Sequence, residues 1–322
     1  MAIKDDVLAR LMGAQESLSG SALARALGVS RSAVWKAIEQ LRAEGYAIEA
    51  ATNRGYRFSG GPERLSLPEI RRELRGGPIG AEIELHDEIE STNDRAKELA
   101  LRGAPHGMAV LSRKQSAGRG RFGRSFFSPE GSGVYISFVL RPELPAERAV
   151  MITSMAAVAV ARAMERVAEV QASIKWVNDV YLGERKACGI LCEAGMDFES
   201  GNLQYVVAGI GVNVGEMEFP PELSGVATSI SNACGRPVGR SKFCAALINE
   251  MNALYPQLAD GAFMAEFRER SNVLGREIVV LRGEERYPAV AEDIDDAGSL
   301  IVRTRDGRRE ALRSGEISVR FR

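Results

Sequence analysis

Residues 113–124, RKQSAGRGRFGR, hold the densest chemistry in the sequence. Gly118, Gly120 and Gly123 alternate there with Arg119, Arg121 and Arg124, behind Arg113 and Lys114, and no acid lies within the stretch. Glycine lets backbone N–H groups come close to an anion, and guanidinium forks match phosphate or carboxylate oxygens in pairs. The stretch therefore reads as an anion-binding loop without local counter-charge, ordered by its ligand. RG tracts that bind RNA share this composition, but they are long and repeated, whereas this one lies between two strand-like segments. A second group is Lys175-Trp176-Val177-Asn178-Asp179-Val180-Tyr181, with Lys186 after the turn Gly183-Glu184-Arg185. A strand end carrying Lys, Asn and Asp, followed by a hairpin with another Lys at its base, sets opposite charges around one spot. A salt-bridged strand end without a ligand is the alternative. Asn213, closing the apolar run GIGVN, is a third polar strand end.

Other chemistries are poorly represented. Cys188, Cys192, Cys234 and Cys244 form no C-x-x-C pair, and ACGILCEA reads as a buried strand with two small apolar thiols. His86 and His106 have no zinc-ligand spacing and read as surface or packing residues. No metal site built from protein ligands is expected.

The elements that must carry the two groups follow from periodicity. Residues 107–112 (GMAVLS) and 133–140 (GVYISFVL) read as strands flanking the arginine loop. Ser91 or Thr92 can cap a short helix at 94–102. An Ala-rich helix over 145–167, apolar around most of its circumference, should pack on a sheet. Strands are expected at 173–176, 187–194 and 203–214, then helices near 242–258 and 262–272. Hairpin-linked strands with helices grouped beside them give an α+β fold. Neither a P-loop nor a strand-linked G-x-G-x-x-G is present.

Ahead of this lies a different pattern. Ala22, Leu23, Ala26 and Leu27 repeat at helical spacing, Gly28 breaks the run, and Ser30 can cap a second helix with Val34, Ile38 and Leu41 on one face. That is a helix-turn-helix, with residues 5–12 supplying a preceding helix. YAIEA and YRF, around Thr52-Asn53-Arg54-Gly55, make the hairpin of a winged helix. The second helix should present Arg31, Ser32, Trp35, Lys36 and Arg42 outward, and the wing Arg54 and Arg57, against Glu39, Glu44 and Glu49. Such a set suits a helix in the major groove with a wing on phosphate; a protein-interaction module is the alternative. Ser59-Gly60-Gly61-Pro62 reads as a linker.

Composition fits this organisation. At 322 residues the chain holds two or three domains, and 45% apolar with 26% charged residues describes a globular protein. Lys and Arg number 42 against 43 Asp and Glu, which excludes a uniformly basic coat for nucleic acid but not a local patch. The longest uncharged apolar stretch, residues 149–161, is too short to span a membrane. With no apolar signal region after MAIKDDVLAR, a cytoplasmic protein without a membrane partner is expected.

Taken together, the motifs resemble the biotin protein ligase family. They are STN at 91–93, Q-x-x-GRGR-x-GR at 115–124, KW-x-ND at 175–179, RK-x-x-GIL at 185–191 and G-x-G-x-N at 209–213. The winged helix and GEIS at 315–318 extend the resemblance to the bifunctional type, ligase and biotin operon repressor in one chain. It implies a winged helix-turn-helix at 1–62, a class II synthetase-like mixed sheet with helices at 67–271, and an SH3-like barrel at 272–322. Short strands EIVVL, YPAVAED, SLIVRT and ISVRF, separated by GEE, DAG and DGR, fit that barrel independently.

The implied activity is joining biotin to ATP as biotinyl-5′-adenylate, with Mg²⁺, then transfer to a lysine of a biotin carboxyl carrier protein. Adenylate-dependent homodimers on operator DNA are implied as well. Carried over by motif, Lys186, Arg121 and Asp179 are catalytic. Ser91, Thr92, Asn93, Gln115 and Arg119, with Arg121 and Lys186, hold biotin. Gly118, Arg119, Arg121, Arg124, Phe126, Asn178, Asp179 and Asn213 hold the nucleotide. Arg31, Ser32, Trp35, Lys36, Arg54 and Arg57 meet DNA. Three positions depart from the family: Val177 where proline is common, Phe122 where another loop arginine is frequent, and Phe126 where tryptophan often packs on adenine. The same fold serves lipoate ligases, but the GRGR loop and KW-x-ND favour biotin, since lipoate has no ureido group. A biotin sensor without catalysis is disfavoured by intact Lys186, Asp179 and Arg121.

Overall fold

Serine caps start the two helices of the helix-turn-helix. After α1 (Ile3–Gly13), α2 (Gly20–Leu27) begins at Ser19, whose hydroxyl accepts the Ala22 N–H at 3.1 Å. It ends at Gly28, which takes a left-handed φ of 66° that a side chain would resist. α3 (Arg31–Ala43) begins at Ser30, whose hydroxyl accepts from Ala33 N–H at 3.2 Å. Val34, Ile38 and Leu41 are buried against Val7, Leu8 and Leu11 of α1 and Leu23 of α2. β1 (Ala47–Ala51) and β2 (Gly55–Gly60) pair antiparallel as the wing. Ser59 and Gly60 thus belong to the wing strand and not to a linker, because the Ser59 hydroxyl donates to Ala47 O at 3.1 Å and pairing continues to Gly60. α4 (Leu67–Glu73) follows.

The structure, a computed structural model, describes residues 3–14, 16–51, 55–60, 64–196, 203–282, 284–313 and 316–319. Arg54 of the expected DNA-binding set, and Gly61 and Pro62 of the expected linker, lie outside the described residues. Two compact units divide the chain, Met1–Leu74 with Gly239–Ala245, and Arg75–Val238 with Ala246–Arg322.

A seven-stranded mixed sheet organises the second unit. In chain order its elements are β3 (Ile83–His86), α5 (Thr92–Leu101), β4 (Ala109–Ser112), β5 (Gly133–Leu140), α6 (Val150–Ala168), β6 (Ala172–Lys175), β7 (Asp179–Leu182), β8 (Arg185–Met196) and β9 (Leu203–Asn213). The strand order is β3-β4-β5-β9-β8-β7-β6, with β3 and β4 parallel and the other pairs antiparallel. All eight residues of β5 are buried, since the strand is covered on both faces. α6 buries nearly its whole circumference, as its composition requires, but starts after a 3₁₀ turn at Ala146–Arg148. α7 (Ile230–Cys234), α8 (Arg240–Leu254) and α9 (Met264–Glu269) follow. Burial pushes the Cys192 thiol up to about 11, and Cys188 further, so both stay neutral packing residues.

The C-terminal strands β10 (Glu277–Arg282), β11 (Glu285–Ile294), β12 (Leu300–Thr304), β13 (Arg309–Leu312) and β14 (Glu316–Val319) form an antiparallel sheet in the order β13-β12-β11-β10-β14. Its interior is Ile278, Val280, Ala291, Leu300 and Val302. The buried Trp176 donates its indole N–H to Gly298 O at 2.9 Å and so joins this SH3-like sheet to the KWVND segment.

Candidate active site

Three glycines open a cleft on one face of the central sheet. Gly189 of β8 and Gly211 of β9 are partners across the ladder, and Gly209 lies two residues away on the same face. A Cβ at Gly209 would stand 1.8 Å from Asn93 Oδ1, and one at Gly211 2.5 Å from the Phe126 ring. At Gly189 it would stand 3.1 Å from Lys186 Nζ. The glycines are thus where Asn93 and Phe126 close on the sheet and where Lys186, on β8 itself, folds back over it. The resulting cleft, of about 340 Å³, is lined by the 91–93, 119–126, 175–179 and 186–191 segments.

One end is rich in hydrogen-bond acceptors. Ser91 caps α5 through Asp94 N–H at 3.4 Å, which sets Thr92 and Asn93 at the cleft wall. Gln115 Oε1 accepts from Thr92 N–H at 2.8 Å and Thr92 Oγ1 at 3.1 Å. Behind them, Ser137 Oγ lies 2.8 Å from Thr92 Oγ1 and 2.6 Å from Asn93 Oδ1. The Thr92–Gln115, Ser137–Thr92 and Ser137–Asn93 contacts share only the two hydroxyl protons of Thr92 and Ser137. This corner favours a ligand that donates N–H.

The arginine loop is not short of counter-charge; acids from elsewhere in the chain supply it. Arg113 pairs with Asp87, Lys114 with Glu88 at 2.9 Å, and Arg119 with both Asp94 and Glu193. These acids lie on the β3–α5 connection, α5 and β8, which no reading of residues 113–124 alone could place. Burial alone would raise the Glu193 carboxyl. The Asn93 amide, Lys97 and Arg119 instead hold it below the ordinary carboxylate range. The loop itself is a small hairpin: Phe126 N–H donates to Gly118 O at 2.8 Å and Gly120 N–H to Arg124 O at 2.7 Å. At its tip Phe122 (φ 57°, ψ 36°) and Gly123 (φ 72°) are both left-handed, the geometry of a type I′ turn. Left-handed backbone costs a residue with a side chain about 1–2 kcal/mol.

Across the cleft the charged residues join in one chain of contacts. Arg121 NH1 donates to Asn178 Oδ1 at 2.9 Å, and Asn178 Nδ2 to Asp179 Oδ1 at 3.0 Å. Lys186 Nζ pairs with that same oxygen at 2.7 Å. The salt-bridged strand end and the ligand site are therefore one arrangement. Phe126 lies over Gly189 and Gly211, edge-on to Tyr135 at 6.4 Å.

Most of the expected site residues meet here, with two exceptions. Asn213 is 5% exposed and donates to Thr228 O at 3.1 Å, away from the cleft lining, because its side chain is taken up by the loop after β9. Gly118 is also buried away from the lining, where a Cβ would fall 2.7 Å from Phe126 O; it lets the hairpin close. Reading the sequence missed Glu193, Ser137, Tyr135 and Leu281, while Lys175, grouped there with Asn178 and Asp179, does line the cleft. Only the alternation of Gly209 and Gly211 hinted at the floor, while Leu281 reaches the cleft from β10, which sequence distance conceals. On α3, Arg31, Ser32, Trp35 and Lys36 are exposed as expected, and so is Arg57 on β2. Arg42 is not: its Nε and NH2 donate to Ile48 O at 3.0 and 2.7 Å.

Known proteins share this plan. Residues 85–213 match the Biotin/lipoate A/B protein ligase family, residues 4–57 an HTH domain and residues 273–320 the Biotin protein ligase C terminal domain. The bifunctional ligase/repressor BirA of Bacillus subtilis is 44% identical over 228 residues, 70% of this chain and 70% of that protein. The chain belongs to the biotin protein ligase family. The BirA of Escherichia coli is 28% identical to this ligase over 320 residues, 97% of this chain and 96% of that one. The biotin protein ligase of Aquifex aeolicus, solved with biotin and ATP, superimposes with a TM-score of 0.64 at 27% identity, over 74% of this ligase and 99% of that chain. In this family member no helix among the described residues is long and apolar enough to cross a membrane.

Proposed function

We propose that this chain forms biotinyl-5′-adenylate from biotin and ATP, transfers biotin to a lysine of a carrier protein, and represses transcription as an adenylate-bound dimer. The observation that carries the ligase reading is the Arg121–Asn178–Asp179–Lys186 chain of contacts beside a glycine floor. In the first step a biotin carboxylate oxygen bonds to the α-phosphorus of ATP and the bond to pyrophosphate breaks. Two anions must meet, so cations have to stand ready where the charge gathers. Lys186, Arg119, Arg121 and Arg124 have that role. The acceptor-rich corner at Thr92, Asn93 and Gln115 takes the N–H groups of the ureido ring, and Phe126 faces the adenine. In the second step the carrier lysine amine attacks the mixed-anhydride carbonyl and AMP leaves. Asp179 orients that amine.

Mg²⁺ fits this site as a companion of ATP. Among the described residues no three His, Cys, Asp or Glu side chains gather as a metal site, and Asp179 is the carboxylate among the lining residues. Asp179 with the ATP phosphates would hold the ion, which screens phosphate charge. Asn213 and Gly118 shape the site from behind.

We assign the parts as 1–62 for DNA, 67–271 for both chemical steps and 272–322 as the C-terminal barrel, acting in the cytoplasm, where ATP, carrier and operator coexist. For the dimer, the outer edge of β6 is engaged by residues 270–272, while no strand among the described residues pairs with the outer edge of β3. An edge of that kind can pair with its twin, bringing two winged helices to a palindromic operator. With ATP and Mg²⁺, the protein should label a biotin-acceptor domain with biotin and leave a lipoyl domain unlabelled with lipoate. Biotin binding without transfer would leave only a sensor. Gel shifts on operator DNA should need biotin and ATP together; equal binding without them would remove the coupling.

A further inference from the structure

We propose that Phe122 is a positioning residue for the adenylation step: its ring sets the Arg121 guanidinium toward the ATP phosphates. This rests on the ligase reading and adds a residue that reading does not use. Phe122 occupies the left-handed first central position of the type I′ tip, where glycine or asparagine fits with less strain. Among the described residues the only other non-glycine at positive φ is Glu169, which ends α6. Strain of this kind persists where a side chain has work to do. The ring is not buried to compensate, being 65% exposed at the cleft mouth. The ring stacks beneath Arg121, whose Cζ lies 5.0 Å from its centroid.

An aromatic face against a guanidinium fixes the plane of the fork and leaves its edges for hydrogen bonds. Arg121 uses that orientation to reach Asn178 at 2.9 Å, and through Asn178 it joins Asp179 and Lys186. A long side chain on a hairpin tip otherwise samples many rotamers, and the fraction aimed at phosphate falls accordingly. The ring raises that fraction while adding no charge to compete for the anion.

The test is biotin-dependent ATP–pyrophosphate exchange with the full-length chain carrying F122L, F122G or F122Y, and a double-variant cycle with R121A. F122L and F122G should lower kcat/KM for ATP about three- to ten-fold, and F122Y should restore exchange. F122G also relieves the turn, so its Tm should equal or exceed that of the parent; a general loss of fold would lower Tm and cut kcat alike whichever substrate is varied, with F122Y giving no special rescue. In the R121A background F122L should have no further effect. Parental exchange with F122L unchanged, or an F122L effect that persists in full beside R121A, overturns the proposal alone. No exchange by the parent chain overturns the ligase reading and this proposal with it.

Discussion

The outer face of α3 and the cleft both display arginine and lysine, but they hold them in opposite ways. Arg31 and Lys36 stand exposed on α3, and Arg57 on the wing, while Arg42 is spent joining α3 to β1. In the cleft every leading cation meets a partner: Lys186 on Asp179, Arg119 on Asp94 and Glu193, Arg121 on Asn178. Exposed cations hold loose counterions and gain affinity by releasing them, so their contribution depends on salt. Cations already oriented by neighbours need little rearrangement when charge develops, so theirs appears in rate. A net charge of −1 averages over both and reveals neither.

The sharpest break of this comparison is Lys186→Ala. It removes the cation nearest Asp179 and leaves that carboxylate facing the incoming phosphates. Pyrophosphate exchange should fall about 100- to 1,000-fold, the usual cost of losing one preorganised charge-stabilising donor. Binding of the winged helix to non-specific DNA, and its salt dependence, should not change. Exchange within ten-fold of the parent would show that Lys186 is only a strut for Asp179.

Much of this was legible in the sequence for a physical reason. Helix caps, turn glycines and strand alternation are local, so Ser30, Gly28 and the strand at Gly133–Leu140 could be read from neighbours alone. The cleft motifs were legible because chemistry demands particular residue types at short spacing. What stayed hidden is long-range. Glu193 meets Arg119 across 74 positions, and Leu281 enters the cleft from another sheet. A polar residue ending an apolar strand has the same pattern whether it faces a ligand or a loop carbonyl, so the bond from Asn213 to Thr228 O could not be read in advance. Arg42 did mislead, since helical spacing gives a direction but not the strand waiting beside it.

A smaller effect tests the exposed half. Arg31→Ala and Lys36→Ala should each weaken DNA binding several-fold at physiological salt and lower the slope of log K against log salt by about 1. Arg42→Ala should leave that slope unchanged. Fluorescence anisotropy across a salt series reads all three. A slope lowered equally by Arg42→Ala would mean that its bond to Ile48 opens on DNA and that α3 offers more charge than it displays.

The smallest expected effect lies with the partners of the cleft cations. Glu193 takes hydrogen bonds from Asn93 and Lys97 and pairs with Arg119, and its carboxyl is held below its ordinary value of 4.5. A carboxyl lowered by folding stabilises the protein fully above its unfolded value, and that contribution fades as pH falls through the lower folded value. Glu193→Gln should therefore cost about 1 kcal/mol at pH 7, and the gap between variant and parent should narrow as pH drops below about 4.5. Urea unfolding at a series of pH values measures the gap directly. A gap that stays constant into acid would assign the stability to the hydrogen-bonding shape of the side chain. Arg119 would then resemble the exposed Arg31 and Lys36 of α3 more closely than its paired neighbours, and the contrast between the two regions would narrow to Arg121 and Lys186.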